Sequence, residues 1–151
     1  MASGKSIAKR RSGCPLNASV EMLGDRWSLL ILRDMMLRGF KTYKEVLSSY
    51  EGIATNILAD RLRRLEKYGI VDTRRDGSDG RKVIYALTKK GLDLAPVMAE
   101  MVLWASAHER TGNQELVRAL KKDKQGMIDA IQRRWENEDS RLHSGSHKAA
   151  K

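Results

Sequence analysis

Asn56, Asp60, Arg63 and Lys67 stand at spacings of four, three and four, so on an α-helix turning about 100° per residue they share one face. Their chemistry suits the edge of a base pair. The Asn56 amide can pair twice with adenine, and the Arg63 guanidinium can fork onto guanine or grip a phosphate. Thr55 adds a hydroxyl, and the small Ala59 lets a partner approach closely. Asp60 repels phosphate, so it either accepts from cytosine or holds Arg63 or Arg64 in position. Taken alone, such a row describes a solvated, salt-bridged helix face equally well, and that is the commoner situation. Charge beyond the row shifts the balance. Residues 61–90 hold ten Lys/Arg against four acids, a net of +6 out of +10 for the whole chain. Arg74, Arg75, Arg81 and Lys82 in that stretch suit phosphates or an adjacent minor groove.

Other groups carry less. Cys14 lies near Arg10 and Arg11, charges that favour a thiolate, although a lone Cys at a helix start is more often a small packed residue. His108, His143 and His147 are far apart and lack Cys neighbours, so no metal site is expected. Asp76-Gly77-Ser78-Asp79-Gly80 lacks the closing Glu of a calcium loop and is explained by a hairpin turn. Trp27, Trp104 and the methionines are read as core. No phosphate loop, nucleophile elbow or paired carboxylates appear, so no enzyme and no cofactor is expected.

The reading row needs a frame. Pro15 opens a helix to about Leu23 that Gly24 ends, and Asp25 caps a second from Arg26 to Leu37, apolar nearly all round. Thr42, with Glu45 three residues on, has capping-box spacing for a third helix to about Ser49, and its hydroxyl joins the candidate DNA contacts. A break at Glu51-Gly52-Ile53 leads into a fourth helix, Ala54–Tyr68, a helix-turn-helix arrangement. Ala54, Leu58, Leu62 and Leu65 form its apolar stripe, opposite the polar row. Two β-rich runs, 70–75 and 82–87, flank the turn and predict a hairpin. Thr88 caps a helix to about His108, bent by Pro96, with Leu94, Met98, Met101, Val102 and Ala105 as a long apolar stripe. A last helix runs from Gln114 to about Asn137, with Leu120, Met127 and Ile131 on one side and an interruption at Gly126.

The fold class is therefore mainly α with a small β-hairpin wing, a winged helix-turn-helix. Residues 1–13 read as a mobile basic arm, 14–110 as the winged-helix domain, 111–143 as a helical extension and 144–151 as a disordered tail. With 41% apolar residues, one cysteine and no run long enough to span a bilayer, the expectation is a cytoplasmic protein that does not enter membranes. The basic N-terminus lacks the apolar run of a secretory signal. A surplus of +10 favours a polyanionic partner. The competing class is a winged-helix module for protein or RNA, which fold alone does not separate from a DNA binder.

Cys14-Pro15, Gly24-Asp25-Arg26-Trp27, Leu29-Leu30-Ile31-Leu32-Arg33, Gly52 to Leu58, Arg61-Leu62, Tyr68-Gly69-Ile70-Val71 and Tyr85 to Gly91 together resemble the HxlR-type winged-helix regulators, a MarR-like family. The likeness covers about Cys14 to Ala105 with motifs in matching order and spacing. It implies a homodimeric transcription factor on a palindromic operator of double-stranded DNA, paired through terminal helices, with the fourth helix in the major groove. It also implies a role for Cys14 as a redox or electrophile sensor, with any small-molecule effector unidentified. Two departures stand out: the hairpin lacks the prolines common in such wings, and the segment after about Gly112 lies beyond the likeness.

Overall fold

The computed structural model describes residues 10–145, with side chains through residue 138. The order is α1 (Pro15–Leu23), α2 (Ser28–Arg38), α3 (Tyr43–Leu47), α4 (Thr55–Lys67), β1 (Val71–Arg75), β2 (Val83–Leu87), α5 (Lys89–Leu92), α6 (Ala95–His108) and α7 (Gln114–Gly145). The strands pair antiparallel with Val71 opposite Leu87 and Arg75 opposite Val83. Around buried α2, whose Ile31, Leu32, Met35 and Met36 are almost fully enclosed, pack the leucines of α4 and the base of the hairpin. This is the expected winged helix-turn-helix.

The regular helix α2 begins at Ser28 rather than at the expected Arg26, residues 26 and 27 forming a turn that the Asp25 side chain bridges. Oδ1 of Asp25 accepts from the N–H groups of Trp27 (2.8 Å) and Ser28 (2.9 Å), and the buried Ser28 hydroxyl donates to its other oxygen. Arg61 of α4 reaches the same carboxylate at 3.0 Å. Burial pushes the Asp25 carboxyl up, but the Ser28 and Trp27 donors and Arg61 outweigh it, leaving the group below its ordinary value. At the other end of the wing, Thr88 accepts from Gly91 N–H (3.1 Å) to cap α5 and donates to the Gly69 carbonyl at 2.6 Å. A Cβ on Gly91 would sit 2.2 Å from the Ile70 carbonyl oxygen, so this glycine permits the close approach of α5 to the start of the hairpin.

Several expectations need correction. Ala54 is the exposed N-cap of α4, and Ile53 takes the buried place. Pro96 bends no continuous helix. The chain turns after Leu92, and Pro96 falls in the first turn of α6, where a missing N–H costs nothing. The break in α7 lies at Asp123 (φ −154°, ψ 76°), not Gly126. Asp123 Oδ1 there accepts from Gly126 N–H at 2.9 Å, and a Cβ on Gly126 would collide with that carboxylate, so the glycine makes room for a new cap. Trp104 is not core: it is 66% exposed on α6, beside Met101 (49%) and Val97 (51%). The regular helix also reaches Gly145, past the expected start of the tail at Ser144. Residues 146–151 and the first nine, with Lys5 and Lys9, lie outside the described residues.

Helix α7 belongs to the core. Leu120, Ile128 and Trp135 are buried within it, and Arg134 donates to the Met36 carbonyl at 3.4 Å. Lys41 pairs with Glu138 and stands 5.6 Å above the Trp135 ring, against β2. Trp135→Ala should therefore lower the unfolding free energy by about 3–5 kcal/mol in urea denaturation, whereas a loosely appended helix would show almost no change. Asp25→Ala should cost about 1–2 kcal/mol at pH 7 as the cap is lost. Because the folded carboxyl titrates below its unfolded value near 4, its contribution is present above about pH 4 and lost as pH falls through the folded value. The gap between the parent and Asp25→Ala should close in acid; a gap that widens there contradicts the assignment.

Candidate nucleic-acid interface

Helix α4 is divided along its length. Leu58, Leu62 and Leu65 are at most 1% exposed, while Thr55, Asn56, Asp60, Arg63 and Lys67 are exposed and Ala59 is half-buried among them. The row is thus one continuous surface with a shallow point at Ala59. Tyr43 of α3 donates to the Thr55 carbonyl at 2.8 Å, which sets the first turn of α4 against α3. The Arg63 Nε lies 3.3 Å from the Ala59 carbonyl, so its guanidinium lies back along the helix surface.

Asp60 holds neither Arg63 nor Arg64. It pairs at 2.7 Å with Arg61, whose Nε meets Asp25, so Arg61 is an anchor at the seam of α4 and α2 with one hand on the exposed row. Adjacent residues point about 100° apart on a helix, but an arginine is long enough to bridge that angle. Arg64 turns away to α1, donating to the Glu21 carbonyl, with its guanidinium 5.9 Å from the Tyr68 ring centroid. It positions α4 from behind and lies off the exposed row.

Thr42 sits at the N-terminus of α3 with its hydroxyl accepting from Glu45 N–H at 3.2 Å. Glu45 returns the bond to Thr42 N–H at 2.8 Å and takes Lys41 N–H as well. These donors hold the Glu45 carboxyl below its ordinary value, the Lys41 amide contributing most. The wing is bound to the same corner, because Tyr85 N–H donates to the Lys41 carbonyl at 2.7 Å. Thus Lys41 and Thr42 sit where α3, β2 and α7 meet.

At the wing tip, Asp76 accepts from Ser78 N–H (3.0 Å) and hydroxyl (2.9 Å), which keep its carboxyl below the usual range. Lys82 lies 3.9 Å from Asp76, and Arg75 donates to the Gly80 carbonyl at 3.2 Å. The turn is stapled by its own side chains rather than by proline. Arg81 is exposed beyond it. Strand alternation puts Arg74 on the face opposite Arg75, across from Ile84. The structure therefore joins Thr55, Asn56, Ala59, Asp60, Arg63 and Lys67 in one row and sets Arg75, Arg81 and Lys82 on the wing. Arg61 and Lys41 were missed in the sequence, since their roles depend on partners 36 and 97 positions away, Asp25 and Glu138.

Cys14 is exposed as the N-cap residue of α1, its N–H 3.3 Å from the Ser12 hydroxyl oxygen. Among the described residues no group of three or more His, Cys, Asp or Glu is placed to hold a metal ion, and no helix is long and apolar enough to cross a membrane.

Comparison with known proteins agrees with this geometry. The chain is 38% identical to the HTH-type transcriptional regulator YodB of Bacillus subtilis (strain 168) over 93 residues, 61% of this chain and 82% of that protein. The crystal structure of PA1607 superposes with a TM-score of 0.63 at 31% identity, covering 71% of this chain and 73% of that one. The oxidised form of the redox regulator HypR gives 0.55 at 28% identity, over 65% of this chain and all of that one. YodB is also known in reduced, diamide-treated and quinone-bound forms. The family and YodB are transcriptional regulators, not enzymes. The signature of the HxlR-like helix-turn-helix family matches residues 22–113, from the end of α1 to the start of α7, and the chain belongs to that family.

Proposed function

We propose that the protein is a sequence-specific regulator of transcription that binds double-stranded DNA as a homodimer, α4 in the major groove and the wing on the adjacent minor groove or backbone. The observation that carries this is the division of α4: three leucines lock one face into the core and leave Thr55, Asn56, Asp60, Arg63 and Lys67 outward. Phosphate contacts from the arm, Lys67 and the wing supply most of the affinity, and Asn56, Asp60 and Arg63 supply the choice of sequence. The pairing of Asp60 with Arg61 offsets its repulsion of phosphate.

Dimerisation is supported by the apolar surface left over. Val97, Met101 and Trp104 recur at helical spacing on α6, and Leu16 and Val20 do so on α1, all exposed. A two-fold axis through these helices sets two copies of α4 about 34 Å apart, matching half-sites one DNA turn apart in a palindrome. Such a protein works where the chromosome is, in the cytoplasm.

Selection of bound duplexes from random DNA, with sedimentation of the protein alongside, tests the reading. A palindromic site and a stable dimer are expected; a monomer at micromolar concentration, or no preferred sequence, contradicts it. Arg63→Ala should cost about 1–3 kcal/mol per half-site and relax one base pair, while Arg81→Ala should weaken all duplexes alike and flatten the salt dependence. If Arg63→Ala leaves the ranking of operator variants unchanged, Arg63 grips phosphate instead.

Regulation is assigned to Cys14. It is exposed, lies off the α4 row and the wing, and opens α1, one of the two helices with unpartnered apolar residues. Oxidation or an electrophile adds bulk or a cross-link there and tilts the two halves. Cys14→Ser should bind the operator normally when reduced and lose the response to diamide or quinone. Wild-type affinity that ignores these reagents while Cys14 is demonstrably modified rules the sensor out.

A further inference from the structure

Between α2, α6 and α7 lies a cavity of about 50 Å³ whose walls are almost entirely apolar, among them Met36, Met98, Ala99, Val102, Leu120 and Met127. Protein interiors hold few voids larger than a water molecule, and an apolar one of this kind stays dry. Arg33, Leu37 and Leu116 line both this cavity and a wider outer cleft of about 320 Å³ beside Arg38 and Tyr50.

The geometry points to a binding site for a small uncharged apolar molecule, a few heavy atoms as the void stands and up to a single six-membered ring where it widens. Three features select that class. Among the described residues the one charged group on the wall is Arg33, whose charge is already met by Asp34 (2.9 Å) and Glu51 (2.7 Å), so a charged ligand would give up its hydration for little electrostatic return. The void is smaller than the roughly 150 Å³ of a cavity that admits benzene. It is, however, faced by three methionines, unbranched side chains that change rotamer readily. One wall is also jointed: Leu116 and Leu120 come from α7 before the break at Asp123, and Met127, Ile128 and Ile131 from after it. A void so small excludes the broad apolar face of a partner helix but can widen around a compact guest.

Filling this cavity presses on the part of α7 that carries Trp135 to Lys41 and β2, so occupancy is read at the wing. That consequence for DNA rests on the proposed function; the binding itself does not.

The test is methyl NMR of the full chain with methionine labelled at Cε, titrated with toluene and separately with benzoate. Saturable shifts at Met36, Met98 and Met127 with toluene, absent with benzoate and lost when Ala99→Leu fills the void, are the expected result. Should Ala99→Leu fail to fold, Val102→Ile makes the same comparison with a smaller addition. No saturable shift, shifts centred on Met101 of the exposed α6 row, or equal shifts with benzoate overturn the proposal. So do cavity methyls that respond to protein concentration and not to toluene, which would mean that a second copy occupies the site. Toluene-dependent methyl shifts without any duplex binding would instead leave the cavity assigned and count against the DNA reading.

Discussion

Everything at the candidate interface depends on burying one side of α4. Removing Leu58, Leu62 and Leu65 from water stabilises the domain by about 1.5–3 kcal/mol each before chain entropy is charged against it. Exposed ion pairs contribute at most about 1 kcal/mol. The leucines therefore decide which face of the helix is outward, and the polar row cannot choose its own orientation. Arg61 and Asp25 add something different from bulk stability. A carboxylate that caps α2 and also holds a guanidinium of α4 fixes rotation and slide between two helices that apolar contact alone would leave looser.

The wing is held by a second junction, centred on Lys41. Its carbonyl accepts from Tyr85 of β2, its amide donates to Glu45 of the capping box, and its ammonium meets Glu138 above the Trp135 ring. A two-stranded hairpin is marginal by itself in water. Here α3 and α7 brace it from both sides, so its basic residues are carried on a supported element. The extension past residue 113, outside the family signature, thus contributes to holding the wing. Its broken helix bends around the domain because Asp123 caps a fresh start, leaving the void under α7 where the two parts meet α2 and α6.

The sequence by itself determined the elements whose signals are local. Gly24, Gly39 and Gly69 close helices, Thr42 and Glu45 form the capping box, and the turn between 76 and 80 makes a hairpin, all through bonds spanning a few residues. The period of Leu58, Leu62 and Leu65 also gave the outward row of α4, since a helical stripe has only one opposite face. Tertiary structure decided what periodicity does not encode. Trp104 and Met101 fit an apolar stripe as well as Ala99 does, yet Ala95, Met98, Ala99 and Val102 face α7 while Val97, Met101 and Trp104 are left in solvent. Pro96 reads as a bend in one continuous helix, and the turn after Leu92 puts it instead at the start of a new one. Asp60 had three arginines within reach in sequence. Arg61 won because Asp25, 36 residues earlier in the chain, already held its other edge, and a choice made by a distant partner leaves no trace in local spacing.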